Sequence, residues 1–202
     1  MEYVMRKHGF KILILVLCAA MAVFLLMNRA QKSSLPVQEK AAEFNLKNTD
    51  GEPVALKDTG GKVRLVYFFF ASCPDVCPVT NNLLREVQGK LQENDLFGSK
   101  SMMYSITFDP KRDTEDKLKA YANGFKADKA GWQFLRGDEQ ATRDAALEYG
   151  ISVVDDQKGG FLHQNYIFLV DKEGNIRQAY NANDKATTAD LIVKDINQLS
   201  KE

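Results

Sequence analysis

The sequence predicts an α/β sandwich, a central mixed sheet flanked by helices, standing behind a single N-terminal membrane anchor. Three observations carry this. Short apolar runs of β-forming residues alternate with segments of helical spacing. Two cysteines sit where the first long strand passes into the first long helix of the domain. One uninterrupted apolar run, residues 12–27, precedes everything else.

The bulk numbers fit a globular chain. Of 202 residues, 45% are apolar and 27% charged, outside the disordered range. Lysine plus arginine equal aspartate plus glutamate, 27 against 27, so no basic excess points to nucleic acid and no acidic tail is present. No repeat or low-complexity stretch interrupts the pattern.

The N-terminus divides into four pieces. Residues 1–11, with Arg6, Lys7 and Lys11, form a cytoplasmic N-terminus. Residues 12–27, lengthened by the three before them, are long enough to span a bilayer at ~1.5 Å per residue. Residues 28–41 are polar and read as a tether, and 42–202 form one domain of roughly 160 residues. A cleaved signal peptide is disfavoured, because Met27-Asn28-Arg29 is no small-residue cleavage site. A lipoprotein would use Cys18, but Leu17 before it is not small and the apolar run continues past it. An uncleaved signal anchor is the favoured reading. It places the protein in the cytoplasmic membrane, single-pass, with its domain on the extracytoplasmic side, where thiols meet oxidants.

Within the domain, "FNLKNTDGEPVAL" alternates and turns at Asp50-Gly51, a hairpin. "VRLVYFFF" is a strand buried on both faces. From Pro78, Val79, Leu83, Leu84, Val87 and Leu91 follow helical spacing. "SMMYSITFD" is a second buried strand, its Met102 and Met103 core residues rather than metal ligands. "DTEDKLKAYANGF" is a helix capped by Asp113 or Thr114. "WQFLRG" is a short strand, and "DEQATRDAALEYG" a helix ending at Gly150. "LHQNYIFLV", "DKEG" and "NIRQAY" make a hairpin, and "TTADLIVKDINQLSK" a closing amphipathic helix.

Cys73 and Cys77, in "FFFASCPDVCPVT", are the domain's only cysteines, so they are a local feature and not a disulfide framework. Pro78 is suited to the first helical position, which makes Cys77 the N-cap. A helix N-terminus lowers thiol pKa values, so both sulfurs are expected to favour the thiolate. A reactive pair at this seam narrows the fold to the thioredoxin type. Two features depart from a thiol–disulfide oxidoreductase of that type. Three residues separate the cysteines instead of two. The five prolines are Pro36, Pro53, Pro74, Pro78 and Pro110, so none stands before the strand that faces the pair. His163, the only histidine of the domain, stands there instead. Two thiolates and an imidazole suit copper or zinc. A closed zinc site wants a fourth ligand, and no further cysteine or histidine of the domain supplies one. An open three-ligand site suits a metal that is handed on.

These residues resemble the Sco/SenC family of membrane-anchored, thioredoxin-like copper proteins. The resemblance rests on "CPDVCP" (73–78), "FDPKRDT" (108–114), "WQFLRG" (132–137) and "LHQNYIFLVDKEGNI" (162–176), in that order and spacing. It covers roughly residue 43 to the C-terminus. It implies that Cys73, Cys77 and His163 are the ligands of Cu(I) or Cu(II). It implies delivery of copper to the CuA centre of cytochrome c oxidase subunit II, or to another copper-requiring extracytoplasmic protein, or maintenance of that centre's cysteines in reduced form. The implied protein is a chaperone more than an enzyme. Asp75 and Asp109 match acidic family positions: Asp75 to tune the thiols or meet a partner, Asp109 to end a strand beside the site. The alternative is a thiol–disulfide oxidoreductase acting on an extracytoplasmic partner; a peroxidase using one cysteine is weaker. "DDQKGGF" before His163 carries two glycines and no apolar anchor, so His163 is expected to join the site only with metal. The balanced charge and single tether are compatible with a monomer.

Overall fold

The computed structural model describes residues 2–30, 35–157 and 160–202. The chain forms two compact units. The first is a helix, α1 (Glu2–Ala30), that carries the predicted anchor. Phe10, Leu13, Leu15, Val16, Leu17, Met21 and Phe24 are all exposed on it. Side chains 25–27, the end of the predicted span, lie outside the described residues. Among the described residues, no helix is long and apolar enough to cross a membrane.

The second unit, Leu35–Lys201, carries an eight-stranded mixed sheet. Its strands are β1 (Glu39–Lys40), β2 (Asn45–Asn48), β3 (Pro53–Ala55), β4 (Val63–Phe69), β5 (Ser101–Thr107), β6 (Trp132–Arg136), β9 (Tyr166–Val170) and β10 (Asn175–Asn181). They lie in the order β1-β10-β9-β4-β5-β6-β2-β3. A separate two-stranded sheet pairs β7 (Val153–Asp155) with β8 (Phe161–His163). The helices are α2 (Val76–Glu93), α3 (Glu115–Gly124), α4 (Glu139–Glu148) and α5 (Ala189–Leu199).

The centre of the sheet follows from composition. β4 and β5 are buried at every position and run parallel, from Val63 beside Ser101 to Phe69 beside Thr107. Burying Tyr67, Phe68 and Phe69 contributes on the order of 1.5–3 kcal/mol each. Met102 and Met103 are buried in β5, as core residues. β9 runs antiparallel to β4 on its other side, and the turn to β10 closes at Gly174, whose φ of +82° favours glycine.

Side-chain oxygens start three helices. Thr114, Asp138 and Thr188 accept from the backbone N–H groups of Lys117, Ala141 and Leu191. Such caps contribute about 1 kcal/mol each. The cap of α3 is thus Thr114, which leaves Asp113 free for another task. α4 ends as expected, with Gly150 at φ +74° donating to the Leu147 carbonyl.

Two elements differ from the sequence reading. Residues 35–41, assigned to the tether, are docked: β1 pairs with β10, and the Arg177 guanidinium donates to the Leu35 carbonyl, Nε at 2.8 Å. The strand expected over 162–170 is broken into β8 and β9. Gln164 and Asn165 make the break. Their side chains bond to Ser152 N–H and to Thr80 and Asn183, out of line with either ladder.

Candidate metal centre

The site lies at the carboxyl end of β4. The strand runs out at Phe70, and the Cys73 N–H donates to the Phe70 carbonyl at 3.2 Å, closing a tight turn. Helix α2 starts two residues earlier than the sequence reading places it. Asp75 holds the cap position, Cys77 is the second helical residue and Pro78 the third. Pro78 still sits in the first turn, where a missing N–H costs nothing. The Cys77 N–H, free of any intrahelical partner there, points at the Cys73 sulfur, 3.5 Å away.

That geometry separates the two thiols. Cys73 is lowered to about 5, first by the hydrogen bond from the Cys77 thiol, then by the N–H groups of Asp75 and Cys77 and the charge of His163; burial opposes the shift. Cys77 moves the opposite way, raised by its bond to Cys73 and by burial. The expectation that both sulfurs ionise is therefore corrected. Two sulfurs in contact share one proton, because the second negative charge meets the first at short range. The metal-free pair is a Cys73 thiolate beside a Cys77 thiol.

Behind Cys77 lies a buried polar layer. Asn81 donates to the Cys77 carbonyl at 2.9 Å and to the Tyr121 hydroxyl at 3.3 Å. Tyr67 is wholly buried, and its hydroxyl has no hydrogen-bond partner among the described residues. Burial and the nearby Cys77 push its pKa up.

His163 ends β8, half-buried against the Phe70 and Phe108 rings, with centroids 6.0 and 5.1 Å away. Its Nδ1 lies 2.9 Å from the Gln164 carbonyl, which can only accept. Nδ1 therefore donates its proton there, and Nε2, the ring nitrogen left to meet a metal, lies 3.9 Å from the Cys77 sulfur. The expected lack of an apolar anchor is corrected by Phe161. Its ring packs edge-on against Phe70 and Phe108, at 5.3 and 5.5 Å, beneath the guanidinium groups of Arg112 and Arg143. His163 lies beside the cysteine pair, held there by this packing. Lys158 and Gly159 of the preceding stretch lie outside the described residues.

The two acidic candidates part company with the ligands. Asp75 is exposed and its carboxylate caps nothing; only its backbone N–H faces the Cys73 sulfur. Asp109 is buried and ion-paired with Arg112; burial raises its pKa and Arg112 opposes. The residue missed from sequence is Asp113, also in "FDPKRDT". Wholly buried, it accepts from Ala71 N–H at 2.8 Å and Thr107 Oγ1 at 2.6 Å. It also pairs with Lys117 at 2.9 Å, and Lys117 donates to Ser72 Oγ at 2.6 Å. Asp113 therefore pins the two residues that lead into Cys73. An acid directly before the Thr114 cap, in the turn between β5 and α3, is the signal that marks it.

Among the described residues, no group of three or more histidines, cysteines or acids is already arranged as a metal cage. The donors nonetheless fit a soft metal. With typical zinc-site bonds, ~2.3 Å to sulfur and ~2.0 Å to nitrogen, S and N on one metal stand roughly 3.5–3.9 Å apart. The Cys77–His163 separation of 3.9 Å lies at the open end of that range.

Comparison with known proteins points one way. The family model described as SCO1/SenC matches residues 32–201. The SCO1 protein homolog of Bacillus subtilis is 27% identical over 181 residues, covering 88% of this chain and 92% of its own. The structure of BsSco, described as having a disulfide switch and belonging to the Sco family of cytochrome c oxidase assembly proteins, superposes with a TM-score of 0.71 at 26% identity, over 82% of this chain and 96% of that one. Yeast Sco1 with copper bound superposes with a TM-score of 0.66 at 26% identity, over 79% and 90%.

Proposed function

The chain belongs to the SCO1/SenC family, and on that premise we propose that it is an extracytoplasmic copper-binding metallochaperone that assists assembly of the CuA centre of cytochrome c oxidase. Copper is its cargo, held by Cys73, Cys77 and His163. The observation that carries the reading is the imidazole Nε2 of His163 facing the Cys77 sulfur at 3.9 Å beside a second cysteine. Two soft sulfurs and an imidazole suit copper in either oxidation state. Three ligands leave a coordination position open, through which an acceptor's ligand can enter as the metal leaves.

The cysteine pair also gives a redox switch. Oxidation of the Cys73 thiolate and Cys77 thiol joins the two sulfurs, releasing one proton to solvent and two electrons to an oxidant, and the disulfide no longer offers thiolates to a metal. Asp109 and Asp113 hold the surrounding loop, while exposed Asp75 is available to a partner. The recipient is cytochrome c oxidase subunit II or another extracytoplasmic copper protein. Residues 12–27 serve as the signal anchor that keeps a monomeric domain outside the cytoplasmic membrane; alkaline carbonate washing of membranes tests this, and release of the full chain would refute it.

One observation favours a second reading. A thiolate near neutrality with a protonated neighbour, Cys73 and Cys77, is also the arrangement of an attacking and a resolving sulfur. Copper titration of the reduced chain, read by absorbance and EPR, separates the two. Tight one-to-one binding with a thiolate-to-copper band, lost in Cys73→Ser, Cys77→Ser and His163→Ala, is the expected result. Binding indifferent to His163, with dithiol reductase activity intact in His163→Ala, would overturn the chaperone reading.

A further inference from the structure

His163 and the cysteines reach the site on different elements, and something must set their spacing. We infer that Asn165 and Thr80 form a clamp that positions His163 for metal, an inference that rests on the ligand set proposed above. Asn165 lies two residues beyond His163 and is 4% exposed. Thr80 lies three residues beyond Cys77, on the next turn of α2, and is 1% exposed. The Asn165 amide donates to Thr80 Oγ1 at 3.0 Å and to Asn183 Oδ1 at 2.8 Å, so both its protons are used. Thr80 in turn donates to the Val76 carbonyl at 3.0 Å, one turn back beside Cys77.

The Asn165 carbonyl accepts from Ala182 N–H at 2.8 Å, and the Gln164 side chain accepts from Ser152 N–H at 2.8 Å. The three-residue segment is therefore held at both ends, and apart from the His163–Cys77 approach itself its link to the cysteine helix among the described residues is Asn165 to Thr80. A buried asparagine at the head of β9, in an otherwise apolar strand, is costly unless fully bonded. A strand begun by an aliphatic residue would pack without it. The polar pair fixes a distance, which an apolar contact does less sharply. Asn165 and Thr80 are positioning residues and touch no metal themselves.

The test uses the full-length protein in detergent, with Cu(II) as the probe. Thr80→Val removes the hydroxyl and keeps the shape; Asn165→Ala removes the amide; Thr80→Ser restores the hydroxyl. Thr80→Val and Asn165→Ala should each weaken Cu(II) about tenfold or more and alter its EPR spectrum, as loss of an outer hydrogen-bonded support does. The double variant should be no worse than the weaker single one, and Thr80→Ser should bind like wild type. The metal-free reduction potential of the Cys73–Cys77 pair should move far less than the copper affinity, because His163 is the smallest of the contributions to the Cys73 shift. Amide exchange at 163–165 should quicken in metal-free Thr80→Val. Wild-type copper binding by Thr80→Val, while His163→Ala is impaired, overturns the clamp alone. Wild-type binding by His163→Ala overturns both the clamp and the ligand set. A potential that moves in Thr80→Val as far as the copper affinity does would show a general disturbance of α2 and also overturn the clamp. Should Asn165→Ala fail to fold, Thr80→Val decides.

Discussion

Reduced, metal-free protein exposed to iodoacetamide should be alkylated first at Cys73, with a rate that stays nearly level from pH 9 down to pH 6 and falls only around pH 5. The structure moves the Cys73 thiol from an ordinary 9.0 to about 5. At pH 7 that raises the thiolate fraction from ~1% to ~99%, roughly a hundredfold. A less basic sulfur is also a poorer nucleophile, and with a Brønsted slope of ~0.45 the same change costs roughly sixtyfold. The two nearly cancel at pH 7, so a single rate there decides nothing. At pH 6 the thiolate advantage is on the order of 900-fold, and about fifteenfold survives the correction. The profile is therefore the diagnostic. Burial of Cys73 slows every rate without moving the midpoint. Cys77→Ala removes the contact that lowers Cys73 most and should move the midpoint upward, whereas Cys77→Ser keeps a donor and should move it less. Peptide mapping by mass spectrometry reads the site. A midpoint near 8 or 9, or first alkylation at Cys77, would refute the shared-proton account.

Three further outcomes follow from the same contacts. The reduced protein should gain stability as pH rises from 5 toward 9: in that window the unfolded Cys73 still holds its proton and the folded one does not, so the slope is positive. Denaturant midpoints of Cys73→Ala should lack that rise, and an unchanged slope would contradict the assignment. Asp113→Ala should cost about 2–4 kcal/mol, because Ala71 N–H and the Thr107 hydroxyl lose their acceptor and Lys117 its partner; a loss under ~0.5 kcal/mol in urea unfolding would show the pin to be dispensable. Residues 35–202 alone should unfold cooperatively at the temperature of the full chain, since that unit contains its own core; a midpoint lowered by 10 °C or more, roughly 3 kcal/mol at this size, would show that the first helix contributes to it.

What could be read from the sequence was local, and what could not was carried by contacts between distant residues. β4 was legible because seven consecutive buried residues of strand-forming type admit little else, and its exit into helical spacing placed the cysteines. His163 was legible because the domain holds one histidine. The helix start was misplaced by two residues, since Pro78 is tolerated anywhere in the first turn and Asp75 caps without a side-chain bond. The difference between the thiols was hidden, because a helix N-terminus acts on both and only their mutual contact sets them apart. Phe161 was passed over as an anchor because its partners, Phe70 and Phe108, lie 91 and 53 residues away. Asp113 was read as a possible cap because Thr114 next to it has the same local preference, and only its burial beneath Ala71 tells them apart.

The same division of local and distant contacts bears on how a cargo leaves. Both cysteines belong to the junction of β4 and α2, which is buried in the main sheet's core. His163 belongs to the small β7–β8 sheet, tied to that junction by the Phe161 ring and by Asn165 on Thr80. Removing a cysteine from the metal requires distorting the core, which resists strain. Withdrawing the histidine requires loosening the aromatic contacts of Phe161 and the side-chain hydrogen bond of Asn165 to Thr80, without touching the eight-stranded ladder. A three-ligand set built on one rigid and one separable support can therefore pass from three ligands to two at modest cost. With the proposed ligand set, an incoming ligand would take the place of His163 first, and the two thiolates, held on the rigid seam, would be the last to let the copper go.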